Sequence, residues 1–428
     1  MGLIHLRVEV ILLAGDLLLR FGALWRRRGE YNRGWIPLFR PNEWNAGAMK
    51  LYELALTGAP TSVQSAAVQK CLTDVLNTFG LRLGTDVGWS ICPAAFEPDQ
   101  KTSAAVAFFG EVGVSDAGVD ELLKRGIPII PIATEPGTIS AELPDRLKLL
   151  NCLTFSGDGP MRIGTALLEC LGLLPRQRRV FVSYRRDEAK EAALQLFNFL
   201  SSKIFDVFLD THGILPAEDF QGVLWHRLCD SDVLIMLDTP NYFTSRWTSA
   251  EFGRALAKGI SILRVGWPGV KAAARTATAN SLELLDTEVD VANGRLSNEA
   301  LVRIAAQVEI VRAQSHAIRS LNLFSALKRD IERIGGVVNG VGVHNAVHLR
   351  LPDGKEVIAY PTVGVPTSMT LNEVVDYASG KEAAIVYDHV GLQEKWLKHL
   401  TWLGSNISAA RWVRASEAAW TFGGWGTP

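Results

Sequence analysis

Trp247 and Glu251 stand four residues apart in Arg246-Trp-Thr-Ser-Ala-Glu-Phe252, at the head of a stretch with helical spacing that runs to Lys258. Residues at that offset share one helix face, so an indole and a carboxylate point the same way. A carboxylate can stabilise a cation developing on a reacting carbon, and preorganised groups of this kind contribute about 3–4 kcal/mol each in a dry site. Upstream, Ser183-Tyr-Arg-Arg186 follows an apolar run. A guanidinium matches phosphate geometry, so either Arg185 or Arg186 can hold a phosphate group, and the sequence does not separate them. On its own, a glutamate on an amphipathic helix is an ordinary solvated residue.

Other patterns carry less chemistry. His344-x-x-x-His348 has metal-like spacing, but Val341 to Leu351 reads as extended. On a strand, residues four apart lie about 13 Å from each other, too far to share an ion. No metal is expected. Tyr387-Asp388-His389 ends an apolar run, and structural roles are expected for all three. His212 and His226 are expected to be structural or solvated. No G-x-x-x-x-G-K-[ST] occurs, which excludes that phosphate-binding loop.

The elements that position these residues form three blocks, expected at 1–176, 177–314 and 315–428. In the first, Ser103–Phe109 and Ile127–Ile132 read as buried strands, with a helix from Ser115 to Arg125 between them. In the second, the strands are Arg179–Tyr184, Phe205–Leu209, Asp232–Leu237 and Ile260–Val265. Helices are expected over Asp187–Ser202, Asp219–Cys229 and Arg246–Lys258, the last stopped by Gly259. Alternating strands and helices imply a doubly wound parallel sheet with functional loops at the strands' carboxyl ends. A long helical stretch, about Ser297 to Gly335, links the second block to the third. There, Val347 to Ala359 reads as a hairpin turning at Asp353-Gly354, and Ala383 to Val413 reads as a β-α-β unit. Five of the twelve tryptophans fall in this block, at 396, 402, 412, 420 and 425. They imply a small aromatic core, or else a ligand or partner surface.

The second block resembles the TIR family along nearly its whole length. Val180-Phe-Val-Ser-Tyr-Arg-Arg186 is similar to the family's first strand and the loop after it. Phe208-Leu-Asp210 is similar to the end of the second strand, and Thr211 to Phe220 to the BB loop. Asp238-Thr-Pro-Asn-Tyr242 stands where the family usually has Ser-Pro-x-Tyr, and Ser245 to Phe252 matches S-x-W-x-x-x-E. The resemblance implies an α/β, flavodoxin-like domain. It also implies hydrolysis of NAD⁺ with Glu251 as catalytic carboxylate, and Ser183, Tyr184, Arg185, Arg186, Asp210 and Trp247 around the substrate. No cofactor is implied beyond NAD⁺ as substrate. The bacterial style of the domain implies an antiphage effector that acts after self-association or a trigger. The alternative is a TIR scaffold that assembles partners without chemistry. Two departures stand out. Asp238-Thr239 replaces a small residue and Ser, and Ala217 stands where Gly is common after the BB-loop proline.

The first block carries Ser115-Asp-Ala-Gly-Val-Asp-Glu121, with the same Ser-to-Glu offset as Ser245 to Glu251 but Ala117 in place of the tryptophan. It is either a degenerate TIR-like copy used in assembly or sensing, or an unrelated α/β domain. Apolar residues make up 48% and charged residues 21% of the 428-residue chain, a core-forming composition. A net charge of −1 gives no reason to expect nucleic acid. Five scattered cysteines without a C-x-x-C pair fit a reducing cytoplasm. Leu3 to Trp25 is mostly apolar but includes His5, Arg7, Glu9, Asp16 and Arg20. It is expected to be a soluble packed element rather than a membrane span or signal peptide, with an interfacial helix as the alternative.

Overall fold

The structure, a computed structural model, describes residues 51–99, 102–156, 159–209, 219–290 and 292–426. The stretch from Leu3 to Trp25, Asp210, His212 and Ala217 lie outside the described residues.

Among the described residues, three five-stranded sheets follow one another along the chain. The first holds β1 (Tyr52–Gly58), β2 (Val87–Ile91), β3 (Ser103–Phe109), β4 (Ile129–Ala133) and β5 (Leu153–Thr154), all paired in parallel in the order β2-β1-β3-β4-β5. Its helices are α1 (Ser62–Thr78), α2 (Val119–Lys124), the short α3 (Ile139–Glu142) and α4 (Gly159–Cys170). The buried strand read at Ser103–Phe109 agrees residue for residue. The helix read from Ser115 begins only at Val119. Gly118 takes φ +87°, and the Val119 N–H closes a turn onto the Asp116 carbonyl at 3.0 Å, which stops the helix from starting earlier.

The second sheet holds β6 (Arg179–Ser183), β7 (Asp206–Leu209), β8 (Val233–Asp238), β9 (Ser261–Gly266) and β10 (Asn280–Glu283), again all parallel, in the order β10-β9-β8-β6-β7. Helices α5 (Arg186–Ser202), α6 (Phe220–Asp230) and α7 (Arg246–Ala257) connect them. Counted within its own block, each of the first two sheets runs 2-1-3-4-5, the flavodoxin-like order. The first block therefore repeats the topology of the second, and α2 follows its third strand as α7 follows β8. The copy stops there. Glu121 is exposed whereas Glu251 is buried, α2 has half the length of α7, and no helix joins β2 to β3 among the described residues.

Helix α8 (Asn298–Arg333) runs unbroken for 36 residues, through position 314 where the second and third blocks are divided in the sequence reading. Ser297 caps it by accepting the Ala300 N–H at 3.1 Å. At 1.5 Å per residue it is about 54 Å long, and it feeds all three cores. Ala300, Ile304, Val308 and Val311 pack under the second sheet, Ala313 and Ala317 enter the first core, and Leu327 and Ile331 enter the third. Arg312, fully buried near its middle, meets Glu169 of α4 at 3.0 Å, Glu309 at 3.3 Å and Asp232 at 3.3 Å. Arg178 joins the same cluster through Glu169 and Glu309. Buried charges persist only when paired, so this cluster fixes the first block, the second sheet and α8 to one another.

The third sheet runs β11 (Val337–Val341), β12 (Val347–Arg350), β13 (Glu356–Thr362), β14 (Ala383–Tyr387) and β15 (Arg411–Arg414) in chain order. Strands β11 to β13 are antiparallel, and β13 to β15 are parallel with α9 (Ser368–Ala378) and α10 (Glu394–Asn406) as crossovers. The short α11 (Ala418–Gly423) follows. The hairpin turn falls where expected, with Gly354 at φ +86°. The tryptophans divide: Trp425 is buried in the core, while Trp402 and Trp420 are exposed. Among the described residues, no helix is long and apolar enough to cross a membrane, and no cluster of His, Cys, Asp and Glu is placed to hold a metal.

Candidate functional site

In the second sheet the chain leaves β6 toward β7 on one side and returns through β8 on the other. The switch point therefore lies between β6 and β8, and the place beyond the carboxyl ends of those two strands is where a parallel sheet of this order offers its ligand crevice. Both loops contribute to the site. Ser183 is the last residue of β6, and Tyr242 lies in the short turn Tyr242–Thr244 after β8. Helix α7 begins next, with Ser245 accepting the Trp247 N–H at 3.3 Å as its cap. Gly259 ends it at φ +66°, the left-handed residue expected there.

These elements bring three side chains into one hydrogen-bonded line. The Ser183 hydroxyl donates to Glu251 Oε2 at 2.5 Å and stands 2.6 Å from the Tyr242 hydroxyl. A serine has one proton to give. With that proton on the carboxylate, Tyr242 donates to Ser183. Burial, and then the charge of Glu251, push the Tyr242 phenol well above its usual range, so it remains a donor. Glu251 is only 6% exposed, far from the solvated glutamate that a surface helix would present. Glu251 reaches inward because α7 turns Thr248, Glu251, Phe252 and Ala255 toward the sheet.

The remaining residues read from the sequence lie in different places. Trp247, one turn before Glu251, is 40% exposed, and the Arg246 guanidinium lies 4.7 Å from its ring centre. Arg185 is held across the crevice. It donates to the Asn241 carbonyl at 3.0 Å and to the Thr244 hydroxyl, so it ties the β6 loop to the β8 loop. Arg186 opens α5 as an exposed residue. Tyr184 does not face the crevice. Strand side chains alternate: Phe181 and Ser183 lie on the Glu251 side, while Val180, Val182 and Tyr184 enter the core on the opposite face. Its ring is 5% exposed, and a substrate contact through that ring is withdrawn. His226 lies away from the site, 5.4 Å from Trp396 of the third block, where its Nδ1 accepts the Gln393 N–H at 3.4 Å.

Two features escape the sequence reading. Tyr242 appears there only as a motif letter, not as part of the site. The other is a buried charge pair on the same face of the sheet. Arg264 of β9, fully buried, meets Asp238 at the end of β8 at 2.5 Å and also Glu283. Burial raises the Asp238 carboxyl, against the pull of Arg264. A lone arginine in Ile260-Ser-Ile-Leu-Arg-Val265 is the signal that was present, since a charge in a buried strand demands a partner. The same pair explains Asp238 where the family usually has a small residue. Gly266 lies beside it, and a Cβ there would displace the Glu283 carboxylate from its present position.

Parallel 2-1-3-4-5 topology and a buried glutamate at the switch point define the class, and the family model described as TIR domain matches residues 180–290. The chain carries a TIR domain over that span. Among solved structures, it is similar to the CMP N-glycosidase of Clostridium botulinum at 23% identity, covering 25% of this chain and 87% of that one, with a TM-score of 0.21. It is also similar to a conserved domain protein from Vibrio cholerae at 15% identity, covering 65% of this chain and 85% of that one, with a TM-score of 0.17. Neither likeness bears on the chemistry. No curated protein matches the chain.

Proposed function

We propose that the TIR domain is an NAD⁺ glycohydrolase that cleaves the nicotinamide–ribose bond, with Glu251 as its catalytic carboxylate. The observation that carries this reading is a buried glutamate at the sheet's switch point, held by the Ser183 hydroxyl at 2.5 Å. Nicotinamide leaves a cationic pyridinium as a neutral molecule, so its departure needs no general acid. Positive charge develops instead on the ribose as an oxocarbenium-like cation. One carboxylate is then enough, whereas ordinary glycosidases need a second carboxyl to protonate an alkoxide. Ser183 and Tyr242 hold the carboxylate in place, so that no reorganisation is needed as the charge forms. Trp247 offers an aromatic edge at the mouth, and Arg186 a cation for the pyrophosphate. Arg185 acts through the loops it ties together. In the wider reading, the protein is a cytoplasmic antiphage effector, switched on by TIR self-association or by a trigger at the flanking blocks.

The test is to incubate the full chain with NAD⁺, under conditions that favour assembly, and follow nicotinamide by mass. Release is expected from the native protein. A Glu251→Ala protein that assembles and releases nicotinamide at the native rate removes the assignment of Glu251, and no release by the assembled native protein leaves a scaffold.

A further inference from the structure

A cavity of about 240 Å³ lies where the third sheet meets the TIR domain. Thr362 at the end of β13 and Asp388 just past β14 form one side. Facing them are Lys258 and Gly259 at the foot of α7, with Arg319 and Asn322 of α8 beneath. Parallel sheets receive ligands beyond the carboxyl ends of their strands, and small-molecule sites favour domain boundaries. The volume corresponds to about eight waters at their share of the liquid, room for a molecule of pentose-phosphate size.

The cavity's charged side chains are Lys258 and Arg319 against Asp388, two cations and one carboxylate, a formal sum of +1. Lys258 Nζ lies 2.5 Å from Asp388 Oδ2. Arg319 spends its terminal nitrogens on neutral acceptors, the carbonyls of Ser231 at 2.9 Å and Cys229 at 3.0 Å. Burial pulls its guanidinium below the ordinary value, against the charges of Asp232, Asp230 and Asp388, and a bound anion would act in the same direction as those carboxylates. The Cys229 thiol in the same wall is pushed up by burial and by Asp388, while Lys258 and Arg319 act in the opposite direction. Asn322, Thr362 and Asp388 add an amide, a hydroxyl and a carboxylate suited to sugar hydroxyls.

We propose that this cavity binds a small phosphorylated polyol, with the phosphate held by Lys258 and Arg319 and the hydroxyls by Asn322, Thr362 and Asp388. Lys258 is seven residues from Glu251 on the same helix, about 10 Å along the axis, so occupancy acts on the helix that carries the buried glutamate. The binding site stands whether or not Glu251 cleaves NAD⁺.

The experiment is calorimetric titration of the full chain with ribose 5-phosphate, ribose and inorganic phosphate. Saturable binding of ribose 5-phosphate is expected, at least tenfold tighter than inorganic phosphate, with no heat from ribose. Lys258→Met is expected to weaken it at least tenfold. Asn322 is exposed on α8, so Asn322→Trp is expected to block the cavity and abolish binding while leaving the unliganded thermal midpoint unchanged. No heat with millimolar ribose 5-phosphate, or inorganic phosphate binding as tightly, would overturn the proposal. So would undiminished binding to the Asn322→Trp protein.

Discussion

The Tyr242–Ser183–Glu251 line makes a quantitative prediction that needs no substrate. Ser183→Ala removes the donor to the carboxylate, a hydrogen bond to a charged group worth about 1.5–3 kcal/mol. It also strands the Tyr242 hydroxyl, whose partner among the described residues is Ser183 at 2.6 Å. An orphaned buried hydroxyl costs about 1–3 kcal/mol more. Tyr242→Phe alone loses one neutral hydrogen bond, about 1 kcal/mol, because Ser183 still donates to Glu251. In the Ser183→Ala background the same change removes a stranded group, so its cost falls to about zero or turns favourable. The two substitutions are therefore expected to couple by about 1–2 kcal/mol, with the double variant more stable than the sum of the singles. Urea unfolding of the four proteins measures this. Additivity within about 0.5 kcal/mol would refute the relay, since uncoupled sites behave that way.

Two further predictions concern buried charge. Arg264→Met leaves Asp238 buried without its cation and is expected to cost about 3–5 kcal/mol in urea unfolding; adding Asp238→Leu should recover much of that loss. The pH dependence of stability follows from two histidines. Burial, reinforced by Arg227, Lys395 and Arg179, pulls His226 down to about 4; burial, then Arg319 and Arg312, pulls His316 down to about 3. Both are neutral when folded, whereas an unfolded histidine takes its proton near 6.5. Their contribution is thus complete above pH ~6.5 and declines as pH falls toward those lower values. Between pH ~6.5 and ~5 the loss is expected to be on the order of 2 kcal/mol after allowing for partial exposure, read from unfolding midpoints.

Much of the fold was legible because its signals are local. Ser103–Phe109 and Val233–Asp238 are strands buried on both faces, and a parallel strand of that kind reads as an unbroken apolar run. The end of α7 was legible from Gly259, which stops it. What failed depends on dihedrals or on partners distant in sequence. Gly118 delays α2 through a left-handed φ, and no apolar spacing shows that. Tyr184 sits one residue past Ser183, and the strand's alternation sends its ring to the opposite core. Nothing within Asp238-Thr-Pro-Asn-Tyr242 announces that its aspartate meets an arginine 26 positions later. In the site, the Trp247–Glu251 offset was legible as one helix face. The burial of Glu251 was not, because it depends on Ser183, 68 residues upstream.

The central claim is that a charged, immobilised carboxylate at position 251 stabilises a ribosyl cation. The most direct measurement compares nicotinamide release by native and Glu251→Gln proteins at equal assembly and equal thermal midpoint, since the amide keeps the shape and an acceptor for Ser183 but removes the charge. The account predicts a fall of about 10²–10⁴ in rate. Native-level release by the amide variant would contradict it.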